Sequence, residues 1–305
     1  MTNLQPAVEG SPGRQTSLLG TISDYITLTK PPIIMLLLVT AAGGMFLAAE
    51  GLPSPLALGL VWLGGALAAG GANAINHYLD RDIDDRMSRT RLRPVADNRI
   101  APSRALIFGV TLNLFAFVVL FTWINLLSAA LTLTATLFYV FVYTRWLKRT
   151  TPQNIVIGGA AGAIPPMVGW AAVTGEIGLP AVYLFAIVFF WTPPHFWALS
   201  LLIKDDYADA GIPMLPVVTT SEHTTLQIFL YTLALTGLTV MFALTSAVGL
   251  VYLVSVIALG LLFIGVAWRL MRRYSRNDAK KVYLYSLLYL ALLFVAVMVD
   301  SIVKV

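Results

Sequence analysis

Nine times along this chain a run of roughly 20 residues passes with almost no charge, long enough to cross a bilayer as an α-helix. The runs fall at residues 31–49, 56–78, 104–123, 125–144, 155–173, 180–202, 225–245, 249–269 and 282–302. In lipid every backbone N–H and C=O must be satisfied within the protein, which leaves only helices or closed barrels. Unbroken apolar runs lack the alternating polarity of a barrel strand. We therefore expect an all-α, polytopic membrane protein of nine transmembrane helices, several joined by linkers short enough to make them antiparallel neighbours. Composition agrees: 11% of residues are charged, against roughly 25% in a soluble domain.

The cations test the count, because a missed or invented span would scramble them. Arg14 and Lys30 precede the first run, seven arginines from Arg81 to Arg104 follow the second, and Arg145, Lys148 and Arg149 follow the fourth. Lys204 follows the sixth and six cations from Arg269 to Lys281 follow the eighth, so 19 of the 20 Lys and Arg residues share one face and only Lys304 lies on the other. The positive-inside rule makes that face cytoplasmic, with the N-terminus inside and the C-terminus outside. Confined to linkers, the cations orient the chain among membrane lipids and do not form a nucleic-acid face. With no cysteine, thiol catalysis and a disulfide framework are excluded. Residues 1–23 read as a mobile tail with neither a signal peptide nor an Arg-rich transit segment, which favours a prokaryotic plasma membrane; residues 24–305 form the membrane domain.

Seven of the fifteen Asp and Glu residues crowd into two places, Asp80 to Asp85 and Asp205 to Asp209, both on the cation-rich face. Carboxylates packed this closely repel one another unless a cation joins them, and Mg2+ is the usual partner for hard oxygen ligands. Asn76, Asp80 and Asp84 recur at intervals of four and line one face of a helix; Asp205 and Asp209 share that interval, with Asp206 beside them. Arg81, Arg86, Arg89, Arg91, Arg93, Lys30, Arg145, Lys148, Arg149 and Lys204 supply the forks and point charges that bind phosphate oxygens. Acids for a metal beside bases for an anion make a metal-diphosphate cradle. On physics alone the alternative stays open that the arginines only orient the chain and the aspartates only neutralise them. Spans one to four and five to eight repeat one plan, with acids after the second span of each, which would bring the clusters across a central cavity open to the cytoplasmic side. A transporter would suit nine spans as well, but its charges belong near the midplane.

The stretch Asn76-x3-Asp80-x2-Ile83-Asp84-x2-Met87-x-Arg89-Thr90-x2-Arg93 resembles the signature of the UbiA-type intramembrane prenyltransferases. Asn73 to Asp84, Thr29-Lys30-Pro31-Pro32, Thr192-Pro193-Pro194-His195-Phe196-Trp197, Lys204-Asp205-Asp206-Tyr207 and Gly211 to Pro216 are similar to the heme-modifying members, and the likeness covers about residues 24–303. It implies Mg2+ as cofactor, farnesyl diphosphate as donor and heme B as acceptor, giving heme O and diphosphate with water added across a vinyl group. It further implies handover to heme A synthase or a terminal oxidase assembly. By the resemblance, Asn76, Asp80, Asp84, Asp205 and Asp206 are catalytic, and Asp80, Asp84, Asp205 and Asp209 hold metal. Lys30, Arg81, Arg89, Arg93, Arg145, Lys148 and Lys204 are assigned to diphosphate. A quinone precursor or a chlorophyllide is the rival acceptor that the metal site does not separate from heme.

His77 and His195 are the candidate heme contacts, through iron or propionates, since imidazole is the commonest heme ligand. A buried histidine satisfied by its neighbours is the competing reading for each. Phe189, Phe190, Trp191, Phe196 and Trp197 surround Pro193 and Pro194 in span six and either line a slot or pack between helices. The small residues Gly158 to Ala163 are expected to serve close helix packing.

Overall fold

The computed structural model describes residues 17–303; Arg14, Lys304 and most of the N-terminal tail lie outside the described residues. Among the described residues the chain is helical throughout, with nine helices long and apolar enough to cross a membrane: Pro31–Ala49, Pro55–Leu79, Pro102–Trp123, Leu126–Thr150, Asn154–Thr174, Leu179–Leu202, Ser221–Ala243, Leu250–Arg272 and Arg276–Val303. We number these spans one to nine. Spans four and nine outrun their apolar segments by about a turn and a half each, since a helix continues past the membrane surface wherever polar side chains reach water. A further helix, Leu18–Thr29, crosses the tail boundary expected at residue 23.

Local chemistry sets the helix starts. Proline occupies the first turn of spans one, two, three and six, where its missing N–H costs nothing. Ser54, Asn125 and Thr220 cap spans two, four and seven by accepting from backbone N–H groups. Lys30 joins helix Leu18–Thr29 to span one in a left-handed conformation, φ 55°, closing the first helix as its C-cap with its N–H donating to the Thr27 carbonyl. Within span four, Phe138–Leu147 is π-helical, a geometry that appears at functional sites more often than elsewhere.

Two close crossings hold the bundle. At the first, spans one and five meet at Gly44 and Gly169, where an added Cβ would lie 2.1 Å from the Pro166 carbonyl oxygen and 1.9 Å from that of Ala41, respectively. At the second, Gly71 and Gly109 let spans two and three touch backbone to backbone. As expected from the small-residue run, Gly158 packs under the Tyr143 ring and Gly159 against Thr192. The largest core joins spans six to nine around Phe242, Tyr252, Phe263, Tyr289 and Phe294.

On the face opposite the cations, Asp300 of span nine is buried and caps the start of span eight, accepting from Gly249 N at 2.6 Å and Tyr252 N at 3.0 Å. A carboxylate there satisfies orphan donors and complements the helix dipole. Asp300→Ala is expected to destabilise the protein by about 1–3 kcal/mol, read as a lower melting temperature in detergent; an unchanged melt would show that the cap contributes nothing.

Candidate functional site

Span two ends where Asp80 leaves helical geometry, and the short helix Arg81–Asp84 continues it after a bend. The i, i+4 ladder persists through the bend: Asp80 N donates to Asn76 O at 2.9 Å and Asp84 N to Asp80 O at 2.7 Å. Asn76, Asp80 and Asp84 thus line one buried strip, with Asp80 0% and Asp84 1% exposed.

Three elements supply cations to that strip. Lys30 donates to Asn76 Oδ1 at 2.8 Å, and Asn76 Nδ2 donates onward to Asp80 Oδ2 at 2.7 Å and Thr144 Oγ1 at 3.3 Å. From the end of span four, Lys148 pairs with Asp80 Oδ2 at 2.5 Å, while Arg149 grips Asp82 with two bonds of 2.7 and 2.8 Å. From the loop between the helix Arg81–Asp84 and span three, Arg93 Nη1 contacts both oxygens of Asp84 at 2.7 and 2.9 Å. Burial, then the Arg93 and Lys148 charges, pull the Lys30 ammonium down to about 7, partly offset by Asp84 and Asp80. The Arg149 fork holds the Asp82 carboxyl at about 2, against partial burial.

The second acid cluster lies on the short helix Lys204–Asp209. Ser88, in the loop carrying Arg89 and Arg93, donates to Asp206 Oδ1 at 2.7 Å, so the two motifs meet. Tyr207, buried beside Arg89, has its hydroxyl pKa raised by that burial, against the Arg89 and Arg93 charges. Asp205 and Asp209 lie on the exposed side of this helix and Lys204 is half-buried. Among the described residues no three Asp, Glu or His side chains form a metal-ligand cluster; Asp80, Asp82 and Asp84 of the first motif are neutralised by Lys and Arg instead. The donors nevertheless fit a hard divalent cation: they are carboxylate and carboxamide oxygens, and Asp80 Oδ1 is buried without a hydrogen-bond donor.

The diphosphate candidates divide. Lys30, Arg93 and Lys148 touch the buried strip, and Arg89 stands beside Tyr207. Arg81 instead folds back onto Tyr78, donating to its carbonyl at 2.6 Å, and with Arg145 lines a separate pocket. The histidines divide too. His195 is a packed side chain, its Nδ1 2.8 Å from Ser286 Oγ and its ring stacked between Trp191 and Tyr283. His77, 1% exposed, has neither ring nitrogen hydrogen-bonded. A buried polar group without a partner costs stability, and this sets His77 apart from the satisfied His195.

Sequence reasoning missed Ser88 and Thr144. Ser88 stands inside the motif between Met87 and Arg89, which was its one signal; Thr144 had none, because the π-helical register of span four is not written in its hydropathy.

A model of the UbiA prenyltransferase family matches residues 36–295. The chain is 51% identical over 282 residues to the protoheme IX farnesyltransferase of Gloeobacter violaceus, covering 92% of each chain. Its fold is similar to that of a digeranylgeranylglyceryl phosphate synthase, with TM-score 0.77, 18% identity and coverage of 93% and 99% of this chain and that one. It is also similar to that of a UbiA homologue from Archaeoglobus fulgidus bound to GPP and Mg2+, with TM-score 0.64, 16% identity and coverage of 90% and 99%.

Proposed function

We infer, for a chain that belongs to the UbiA prenyltransferase family, that it transfers a farnesyl group from farnesyl diphosphate to a vinyl group of heme B, giving heme O and diphosphate. The buried strip of Asn76, Asp80 and Asp84, each already engaged by a cation from another element, is the observation that carries the prenyl-transfer chemistry. The heme acceptor rests on the identity to the Gloeobacter violaceus relative and on the unpartnered His77.

Asp80 and Asp84, with Asp205 and Asp209 from the second motif and Asp206 beside them, are the carboxylates we assign to Mg2+. When bound, the ion would help neutralise charge developing on the departing diphosphate. Lys30, Arg89, Arg93, Lys148 and Lys204 would take the phosphate oxygens, Arg93 and Lys148 in exchange for their present partners Asp84 and Asp80. Preorganised cations of this kind act in low dielectric at the point where charge grows largest. As the farnesyl C1–O bond breaks, the terminal vinyl carbon of heme attacks C1; water then adds to the adjacent vinyl carbon and releases a proton. No protein nucleophile is needed, and the apolar surroundings keep water from the allylic cation until transfer. We assign the cation-rich face to the cytoplasm of a plasma membrane, the product passing to heme A synthase or a terminal oxidase assembly.

Heme O formation by the purified protein, given heme B and farnesyl diphosphate with Mg2+ or EDTA and read by mass spectrometry, tests this directly. Metal-dependent product is expected. Transfer only to a quinone precursor or chlorophyllide would overturn the heme assignment and leave the cradle intact. The histidines separate in a second test. His77→Ala should lower turnover with heme at least about tenfold without lowering the melting temperature, whereas His195→Ala should lower the melting temperature, because it removes a hydrogen bond to Ser286 and a ring stacked between Trp191 and Tyr283. A loss of stability in His77→Ala equal to that in His195→Ala would assign both to packing.

A further inference from the structure

A pocket of about 520 Å³ opens between the cation-face ends of spans two and four, lined by Tyr78, Leu79, Arg81, Asp82, Arg145 and Arg149. Three guanidinium groups face one carboxylate there. Asp82 is consumed by the Arg149 fork, Arg81 rests over the Tyr78 ring with its carbon 4.8 Å from the centroid, and Arg145 has no acid partner among the described residues. The pocket is therefore cationic and open to an anion. It does not include Lys30, Asn76, Asp84 or Arg93, and Arg149, 3.6 Å from Asp80 Oδ1, stands between it and the buried strip.

What lies beneath the pocket identifies the class of anion. Along span four, Leu137, Phe141 and Trp146 are exposed, Phe141 by 59% and Trp146 by 61%. Arg145, also exposed, is four residues beyond Phe141 and next to Trp146, so a lipid-facing apolar stripe ends in an interfacial tryptophan and an unpaired guanidinium. A free phosphate would gain nothing from that stripe, whereas an acyl chain would lie along it. Basic pockets between helices at a membrane surface take anionic head groups, and tryptophan marks the head-group level. We propose that this pocket binds the phosphate of an anionic phospholipid, with Arg81 and Arg145 as its ligands and an acyl chain along Leu137 and Phe141.

Protein reconstituted in phosphatidylcholine nanodiscs containing about 30% phosphatidylglycerol, then released and weighed by native mass spectrometry, reads lipid retention independently of turnover. The parent protein should retain phosphatidylglycerol over phosphatidylcholine by about thirtyfold, at about 1 kcal/mol for each of the two interfacial cations. Arg81→Gln with Arg145→Gln should erase the preference, while Arg272→Gln, on the same face at the end of span eight, should keep it. Both target side chains are exposed, and an unchanged melting temperature checks the fold of the double variant. The proposal falls if the parent shows no preference, if the double variant keeps it, or if Arg272→Gln loses as much. It also falls if millimolar inorganic phosphate displaces the lipid from the parent as well as an excess of phosphatidylglycerol does, since the apolar stripe would then play no part. Weakened farnesyl diphosphate binding in the double variant, with lipid retention intact, would return both arginines to the substrate cradle.

Discussion

Asp80→Asn should reduce farnesyl transfer about 1000-fold, equivalent to roughly 4 kcal/mol of lost transition-state stabilisation. The substitution keeps the shape of the side chain and removes its charge, at a position 0% exposed. Two effects must be told apart. Losing the carboxylate strips the cradle of its most buried oxygen ligand, and it also leaves Lys148, now 2.5 Å from Asp80, as a part-buried charge without a counter-ion. Breaking one half of such a pair commonly costs about 3–5 kcal/mol of stability. Adding Lys148→Met to Asp80→Asn removes the stranded charge, so the double variant should regain much of the melting temperature and none of the activity. Activity that recovers together with stability would mean that Asp80 is only the counter-ion of Lys148. Single-variant activity within tenfold of the parent would remove Asp80 from the chemistry altogether.

The strip containing Asp80 was legible in advance because its logic is local. Residues four apart on a helix share a face, and the Asn76, Asp80 and Asp84 ladder keeps that relation even though the helix bends at Asp80. Span number was legible for a similar reason, since lipid leaves the backbone few choices and charge is costly inside it. What stayed hidden depends on direction. Arg81 and Arg145 each follow an inward-facing residue, Asp80 and Thr144, and one residue is about 100° of helical turn. Adjacent positions at these helix ends therefore face different ways, a division that residue type does not announce. The clamp of Arg99 on Asp24, by which the loop bearing Arg89 and Arg93 holds the helix that ends at Lys30, was equally hidden. It joins residues 75 apart in the chain, and neither belongs to a spaced motif. Thr144 and Lys148 reach the strip through the π-helical stretch Phe138–Leu147, whose register an ordinary helical wheel assigns wrongly.

Gly169→Ala, a change of one methyl group, should cost about 3–5 kcal/mol, at the upper end of what single substitutions do. The new Cβ would stand 1.9 Å from the Ala41 carbonyl oxygen and 2.8 Å from its carbon. Those are backbone atoms of span one, so no side chain can rotate aside, and spans one and five must separate. Separation breaks the reciprocal contact at Gly44, whose own missing Cβ admits Pro166, and it opens the core where Met45, Ile164 and Val168 meet. Because Lys30 caps the start of span one, displacing that span also draws the ammonium from Asn76, so activity should fall with stability. Gly162→Ala is the matched control: it lies in the same span and its Cβ would meet nothing within 4 Å. A glycine-to-alanine change in an open helical position is worth up to about 1 kcal/mol in favour of the helix, so the melting temperature of this variant should hold or rise. Equal melting temperatures for the two variants in detergent would show that the crossing relaxes without cost, and that the small residues of span five do not set the distance between the helices.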